Sequence, residues 1–385
     1  MTVTTPDPPP SHAAAVDRGR ERTDWVSAVP FLAVHLAPIA ALWVVVTWEA
    51  WVLCAALYAV RLFLVTAGYH RYFSHRSYRM GRVTQFVVAA GATTAAQKGP
   101  LWWAGHHRVH HRFTDQDGDV HSPRDGFWWS HVGWILSTRY KRTDPTAIAD
   151  FAAYPELRVV DRLHWLGPWV LGVACFVVGG WGALLVGFLL STVLLWHGTF
   201  VVNSLSHLVG RRRYATPDTS RNSMLITLVT GGEGWHNNHH YLPASARQGF
   251  AWWELDPTWY GLRLLAAFRL VRDLRDPPRQ LLDQARVRDG AFDIGMFRSY
   301  WERAARVAGE RIADLSARPT VPAADSPDAN ASPGSEPGDA SSALPGLIRR
   351  ALESADQLAA ATRRRTAPMS SGGRRRARRR GVPDG

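Results

Sequence analysis

The chain has 385 residues, 46% of them hydrophobic and 18 of them Trp, with a formal net charge of +13. This composition supports a core domain followed by a tail. The two cysteines, Cys54 and Cys175, lie in apolar runs without CxxC spacing. They argue against a disulfide scaffold or a cysteine-ligated cluster and leave no internal electron carrier.

Residues 1–27 form a polar N-terminal segment. Residues 29–60 carry only Glu49 as a charge and divide near residues 47–50 into two lengths, each able to cross a bilayer core. The run begins after more than twenty polar residues and a second span follows at once, so it is not a cleaved signal peptide. Arg61 falls within the second span and is expected to snorkel to the nearer interface or to mark a helix extending beyond the bilayer.

An H-x4-H block, His70 and His75, follows this span. Residues 84–103 are apolar enough to suggest another crossing, but Gln85, Gln97, Lys98 and Pro100 make an interfacial or re-entrant helix the better reading. Next comes an H-x2-H-H block, His107, His110 and His111. On a helix these three point to roughly one side, and adjacent positions differ by about 100°, so neighbouring rings can serve two different metals.

Residues 165–205 contain no Asp, Glu, Lys or Arg, and the cluster Gly179, Gly180 and Gly182 divides them into two further spans. The reading is an all-α membrane protein with four transmembrane helices in two hairpins. Asn203 and His207 lie one turn apart at the end of the fourth span, and a second H-x2-H-H block, His236, His239 and His240, follows. Glu233 and His236 spell E-x-x-H, the pattern of soluble di-iron bundles, but the motif occurs once, so Glu233 is read as a structural or supporting residue.

Beyond residue 312 the chain is rich in Ala, Pro, Ser, Gly and Arg and reads as a disordered basic tail, which gives a membrane domain of residues 28–311 and a tail of residues 312–385. The hairpin tips lack Lys and Arg, whereas Arg18, Arg20, Arg22, Arg139, Lys141, Arg142, Arg211, Arg212 and Arg213 flank the spans. The positive-inside rule then makes both termini and the middle segment cytoplasmic. Basic flanks and tail point to anionic lipid or a protein partner rather than to nucleic acid.

Nine histidines and Asn203 in four blocks imply a metal site on one cytoplasmic face. Nine neutral nitrogen donors exceed the needs of one zinc and suit two first-row metals, with iron the expected one. His12, His35, His164 and His197 read as ordinary hydrogen-bonding residues, and His106, His121 and His131 as candidates to support the ligands. Lys98, Arg108, Arg112 and Arg124, with Arg139 and Lys141, are candidates to meet the phosphates of a substrate head group.

HRYFSH (70–75), HRVHH (107–111), NSLSH (203–207) and HNNHH (236–240) resemble the histidine boxes of the membrane fatty acyl desaturases of the stearoyl-CoA type, in its bacterial form. The resemblance covers roughly residues 30–275. It implies a mushroom-like helical fold, four transmembrane helices under a cytosolic helical cap, with a di-iron centre at the junction. It also implies that His70, His75, His107, His110, His111, His207, His236, His239 and His240 are iron ligands, with Asn203 bound through a water. O2 is then co-substrate, and the substrate a long saturated acyl chain, with acyl-CoA and a delta-9 double bond preferred over an acyl-lipid. A hydroxylase on the same scaffold and a membrane zinc protein are the rival readings. The chain has no HPGG heme signature, so electrons are expected from a separate ferredoxin or flavin reductase. Methylenes offer no polar handle, so a kinked apolar tunnel is expected to set the position of reaction.

Overall fold

The computed structural model describes residues 22–287 and the backbone of residues 292–293, and it is mostly helical. The start of the N-terminal segment and the whole expected tail lie outside the described residues. Among those described, no strand exceeds two residues.

Helix α1 (Trp25–Leu36) continues through a 3-10 stretch (Ala37–Trp43), and α2 (Trp48–Phe63) continues through π-type turns (Leu64–Ser74). Trp25–Trp43 and Trp48–Ser74 are each long and apolar enough to cross a membrane. Leu32, Leu36, Trp51 and Val52 are exposed along them. Trp25, Trp43 and Trp48 sit at their ends, where aromatic residues favour a membrane interface.

Arg61 does not snorkel. It is 1% exposed and donates to Leu57 O (3.0 Å), Thr94 O (3.3 Å), Thr192 Oγ1 (2.7 Å) and Ser191 Oγ (2.5 Å). These acceptors satisfy a charge that apolar surroundings would otherwise penalise, and they tie α2 to the helix that carries Ser191. Apart from Leu57, one turn earlier, these acceptors lie 33 to 131 residues away, so nothing local to Arg61 marks them.

After β1 (Arg79–Met80) come α3 (Arg82–Thr93) and α4 (Pro100–Phe113). The 12 residues of α3 reach only about 18 Å, short of a bilayer core of about 30 Å. Left-handed residues at Ala96 (φ 54°) and Lys98 (φ 64°) then turn the chain into α4. Residues 84–103 thus fall in two short helices, and they are not among the three helices of the described residues that are long and apolar enough to cross. Two further helices, α5 (Ala149–Ala152) and α6 (Pro155–Arg162), pack beside them. Asp161 Oδ1 accepts from the backbone N–H groups of Leu101 (2.8 Å) and Trp102 (3.0 Å), capping the first turn of α4 from outside the helix.

The third apolar run, Leu166–Leu208, contains α7 (Leu166–Gly182), a π-type stretch (Ala183–Leu190), α8 (Ser191–Asn203) and α9 (Leu205–Leu208). Its 43 residues would extend about 65 Å as one straight helix. Instead Gly180 adopts φ 61°, ψ −154°, a conformation that residues with a Cβ avoid, and the chain folds back. A Cβ on Gly172 would lie 3.1 Å from the Phe188 ring, although a straight helix would hold these positions about 24 Å apart. The glycine cluster read as a span divider is a hairpin turn.

The chain then forms β2 (Gly210–Arg211), α10 (Met224–Thr230), α11 (His236–Tyr241), α12 (Pro257–Ala267), β3 (Val271–Arg272), α13 (Arg279–Leu282) and β4 (Phe292–Asp293). β1 pairs antiparallel with β3, and β2 with β4. The largest buried cluster, with Tyr69, Phe73, Leu101, Phe151, Leu157 and Leu262, lies where the end of α2 meets α4, α6 and α12. On the outside, Val83 and Val87 of α3, Leu225 and Leu228 of α10, and Leu264 beside Phe268 leave further apolar side chains exposed.

Candidate metal centre

Helix geometry explains the first block. Residues five apart on an α-helix differ by about 140° in direction, too far for two ligands of one ion. Here the helix widens, and His75 N–H returns to His70 O (3.3 Å), an i→i+5 bond that brings the two rings to 5.0 Å between centroids. H-x4-H is therefore a spacing suited to π-type turns.

Helix α4 presents His107 and His111 to one group of imidazoles and His110 to another, as the 100° step between neighbours requires. Helix α11 divides His239 from His236 and His240 in the same way. The result is a group of five, His70, His75, His107, His111 and His239, and a group of four, His110, His207, His236 and His240. Within each, one nitrogen from every ring lies within 4.8 Å of the others.

The ring orientations are set from behind by carboxylates. His70 Nδ1 meets Glu233 Oε2 (2.6 Å), His110 Nδ1 meets Asp119 Oδ1 (2.8 Å), His207 Nδ1 meets Asp115 Oδ2 (3.3 Å) and His240 Nδ1 meets Asp218 Oδ2 (3.0 Å). A carboxylate fixes the imidazole proton on Nδ1 and directs the Nε2 lone pair into the site. Burial alone would raise these acids, but the opposing histidines hold Asp119 at about 2 and keep Asp115 and Asp218 well below the usual carboxylate range. Glu233 is likewise buried, yet His70 and Arg71 bring it to about 2. Burial, reinforced by neighbouring rings, pushes His75, His107, His111, His236 and His239 well below 6.5, so these imidazoles are neutral donors.

The inward nitrogens meet closely. Nε2–Nε2 distances are 3.0 Å for His70–His239, 2.9 Å for His75–His107 and 3.0 Å for His111–His239. In the other group they are 3.1 Å for both His207–His236 and His236–His240. With the protons of His207 and His240 directed to aspartates, His236 has at most one Nε2 proton to share between two facing lone pairs. A cation removes this conflict. Two nitrogens each about 2.1 Å from one first-row ion, at right angles, lie about 3.0 Å apart, so the donor set fits bound metal.

An apolar cavity of about 850 Å³ runs to this centre. Trp103, His107, His121 and Asn203 line it at the histidine end, while Gly172, Phe176, Trp181 and Phe188 line it toward the Gly180 turn. Its volume falls within the roughly 300–1,000 Å³ of ligand pockets. His107 thus lines the cavity and belongs to the five-histidine group.

The four basic residues expected at a head group do not gather. Lys98 lines the cavity. All five N–H donors of Arg108 are engaged, with Ser74 O, Phe73 O, Ala147 O and both carboxylate oxygens of Asp150. Arg124 donates to Asp115 O and steadies the loop that carries the aspartates, while Arg112 is exposed on α4. For Arg108 and Arg124 the charge has a structural reason.

The sequence model of the fatty acid desaturase family matches residues 46–272. The chain belongs to the fatty acid desaturase family. It is 37% identical, over 70% of its length and 96% of the relative's, to an sn-2 palmitoyl-lipid 9-desaturase of Nostoc. An sn-1 stearoyl-lipid 9-desaturase of Anabaena variabilis is 34% identical over 66% of this chain and 95% of the relative. An acyl-CoA 5-desaturase of Anemone leveillei is 35% identical over 60% of this chain and 73% of the relative. Membership makes the protein an oxidoreductase of lipid metabolism.

Several residues that build this desaturase-family site carried no spacing signal. Asp115, Asp119 and Asp218 come from irregular segments. The two asparagines of HNNHH are fully buried. Asn237 Oδ1 accepts from Arg213 N and Tyr214 N (both 2.7 Å), and Asn238 Nδ2 donates to Gln248 O (2.9 Å), so these amides seat the short α11. His131 and His197 form a separate line, with His131 Nε2 3.0 Å from His197 Nδ1 and His197 Nε2 3.1 Å from His35 Nε2. His121 stacks on His110 at 4.2 Å, and His106 Nδ1 meets Trp102 O at 2.9 Å.

Proposed function

We propose that the protein introduces a cis double bond, at the delta-9 position, into a long saturated acyl chain, with O2 and two electrons from an external donor. The observation that carries this reading is the meeting of the apolar cavity with the two histidine groups at His107.

In this reading His70, His75, His107, His111 and His239 hold one iron. His110, His207, His236 and His240 hold the other, with Asn203 bound through a water. Two iron ions bound there supply the oxidising power, drawn from O2, that an unactivated methylene requires. The protein's part is positional. Trp103 and His121 border the reacting end, Asp115, Asp119, Asp218 and Glu233 fix ring orientation, and the apolar walls exclude water. The chain and the donor give two electrons each, and O2 leaves as two waters.

The head group is read as a membrane glycerolipid in preference to acyl-CoA. A CoA thioester needs several free cations at the cavity, and of Lys98, Arg108, Arg112 and Arg124 only Lys98 lines it. The names of the Nostoc and Anabaena relatives agree with this choice. With the third apolar run folded at Gly180, four helices cross the bilayer, both termini are cytoplasmic, and the histidine groups lie under a cytosolic cap. The membrane domain is residues 28–311 and the tail residues 312–385.

Expression in a host lacking its own desaturase, with mass-spectrometric localisation of the double bond and separate analysis of acyl-CoA and glycerolipid pools, tests this. New delta-9 monoenes appearing first in glycerolipid are expected. An unchanged lipid profile from iron-loaded protein with a competent donor, or a hydroxylated product, would overturn the reading.

A further inference from the structure

A second cavity, of about 490 Å³, reaches the five-histidine group from a different side. His75 is at its wall, together with Arg76, Arg79, Arg272 and Arg275 and the rings of Tyr72 and Phe151, and no Asp or Glu among the described residues lines it. His75 Nε2 lies 2.9 Å from Nε2 of His107, which lines the apolar cavity. The two cavities therefore end on one pair of imidazoles, one with apolar walls and one ringed by cations.

The arginines are not explained by folding. Arg79 and Arg272 stand directly opposite one another in the β1–β3 pair, a like-charge arrangement that weakens a ladder. Among the described residues Arg79 has only an exposed partner, Asp273, at 3.6 Å, and Arg76 shares Asp150 with Arg108. Neither Arg272 nor Arg275 has a side-chain hydrogen bond or ion pair among the described residues. Arg76, next to His75, holds a left-handed backbone (φ 50°). Exposed, weakly paired arginines of one sign steer an acidic partner, whereas a site for a small phosphate would bury and orient its guanidinium groups.

We propose that this arginine-ringed cleft is where the external electron carrier docks, a small acidic one-electron protein of the ferredoxin class, with electrons reaching the centre by way of His75. The inference rests on the desaturase reading. In each turnover the acyl CH2–CH2 unit becomes CH=CH and gives up two electrons and two protons, and two reduced carriers are each oxidised by one electron. Solvent supplies two further protons, and O2 takes up the four electrons and four protons to give two waters. The two cysteines, buried in membrane helices, provide no carrier within the described residues.

The test compares full-length protein with the double variant R79E/R272E, in lipid nanodiscs, with two donors. One donor is an acidic [2Fe–2S] ferredoxin kept reduced by its reductase, and the other is the methyl viologen radical cation. The expected result is a rise of roughly tenfold or more in both the Kd and the KM for ferredoxin, with the viologen-supported rate, iron content and thermal unfolding unchanged. Ferredoxin binding to the unmodified protein should also weaken steeply with salt. Unchanged ferredoxin Kd and KM would overturn the proposal. So would a raised KM for the acyl substrate with intact ferredoxin binding, which would assign the cleft to a substrate phosphate. If the unmodified protein desaturates nothing with either donor, the desaturase reading fails, and the binding measurement still decides the cleft.

Discussion

The two histidine groups are held in different ways. In the group of four, three rings are backed by aspartates: His110 by Asp119, His207 by Asp115 and His240 by Asp218. In the group of five, only His70 has a carboxylate among the described residues, Glu233, and His107 is instead stacked on Trp103 at 5.0 Å. One group is oriented by charge and the other mainly by packing. The packed group is also the one that lines both cavities, through His107 and His75. Where the two cavities end, ring position is kept by neighbours that leave the rings accessible, and the other group carries the extra negative charge.

Removing a ring from either group should have the largest effect. His239→Ala in the group of five and His240→Ala in the group of four are each expected to abolish turnover and to halve the bound metal, measured by elemental analysis of membrane-inserted protein. Full activity in either variant would contradict ligation. Removing a backing carboxylate separates the groups. Asp218→Asn should lower metal affinity at the group of four by roughly 10–100-fold and leave the group of five occupied, read by chelator titration. Equal loss from both groups would erase the distinction.

Glu233→Ala strips both His70 and a buried arginine of a partner, since Arg71 is bonded to Glu233 (3.0 Å) and Asp256 (2.9 Å). Leaving part of that charge uncompensated should cost about 3–5 kcal/mol, seen as a lowered Tm with metal bound. At the far end of the apolar cavity, Phe188→Ala should admit a longer chain. A shift in product length is expected there, with discrimination of about 1–3 kcal/mol per methylene, read by gas chromatography. The smallest effect should come from Asp161→Ala, which uncaps α4 and costs about 0.5–2 kcal/mol without changing product identity.

Legibility followed the range of the interactions. Ligand blocks are helix-local, so H-x2-H-H in α4 and α11 could be read from spacing, including the division of adjacent rings between two groups. Asp115 and His207 are 92 residues apart, and nothing local to either marks the pairing. Arg108 read as a head-group candidate because a basic residue between ligands looks available, whereas its acceptors lie 34 to 42 residues away. Arg61 read as snorkelling, or as marking a helix that extends beyond the bilayer, because its acceptors Thr94, Ser191 and Thr192 are likewise far away in the chain.

Charge-free runs, glycine clusters and histidine spacing determined by themselves that this is a helical, membrane-suited chain with a site of many nitrogen donors, because those signals repeat with the helical period. Only the tertiary structure decided which carboxylate stands behind each ring, which arginines are already engaged, and that two cavities of opposite character end at His75 and His107. Each of these depends on segments that meet only after folding.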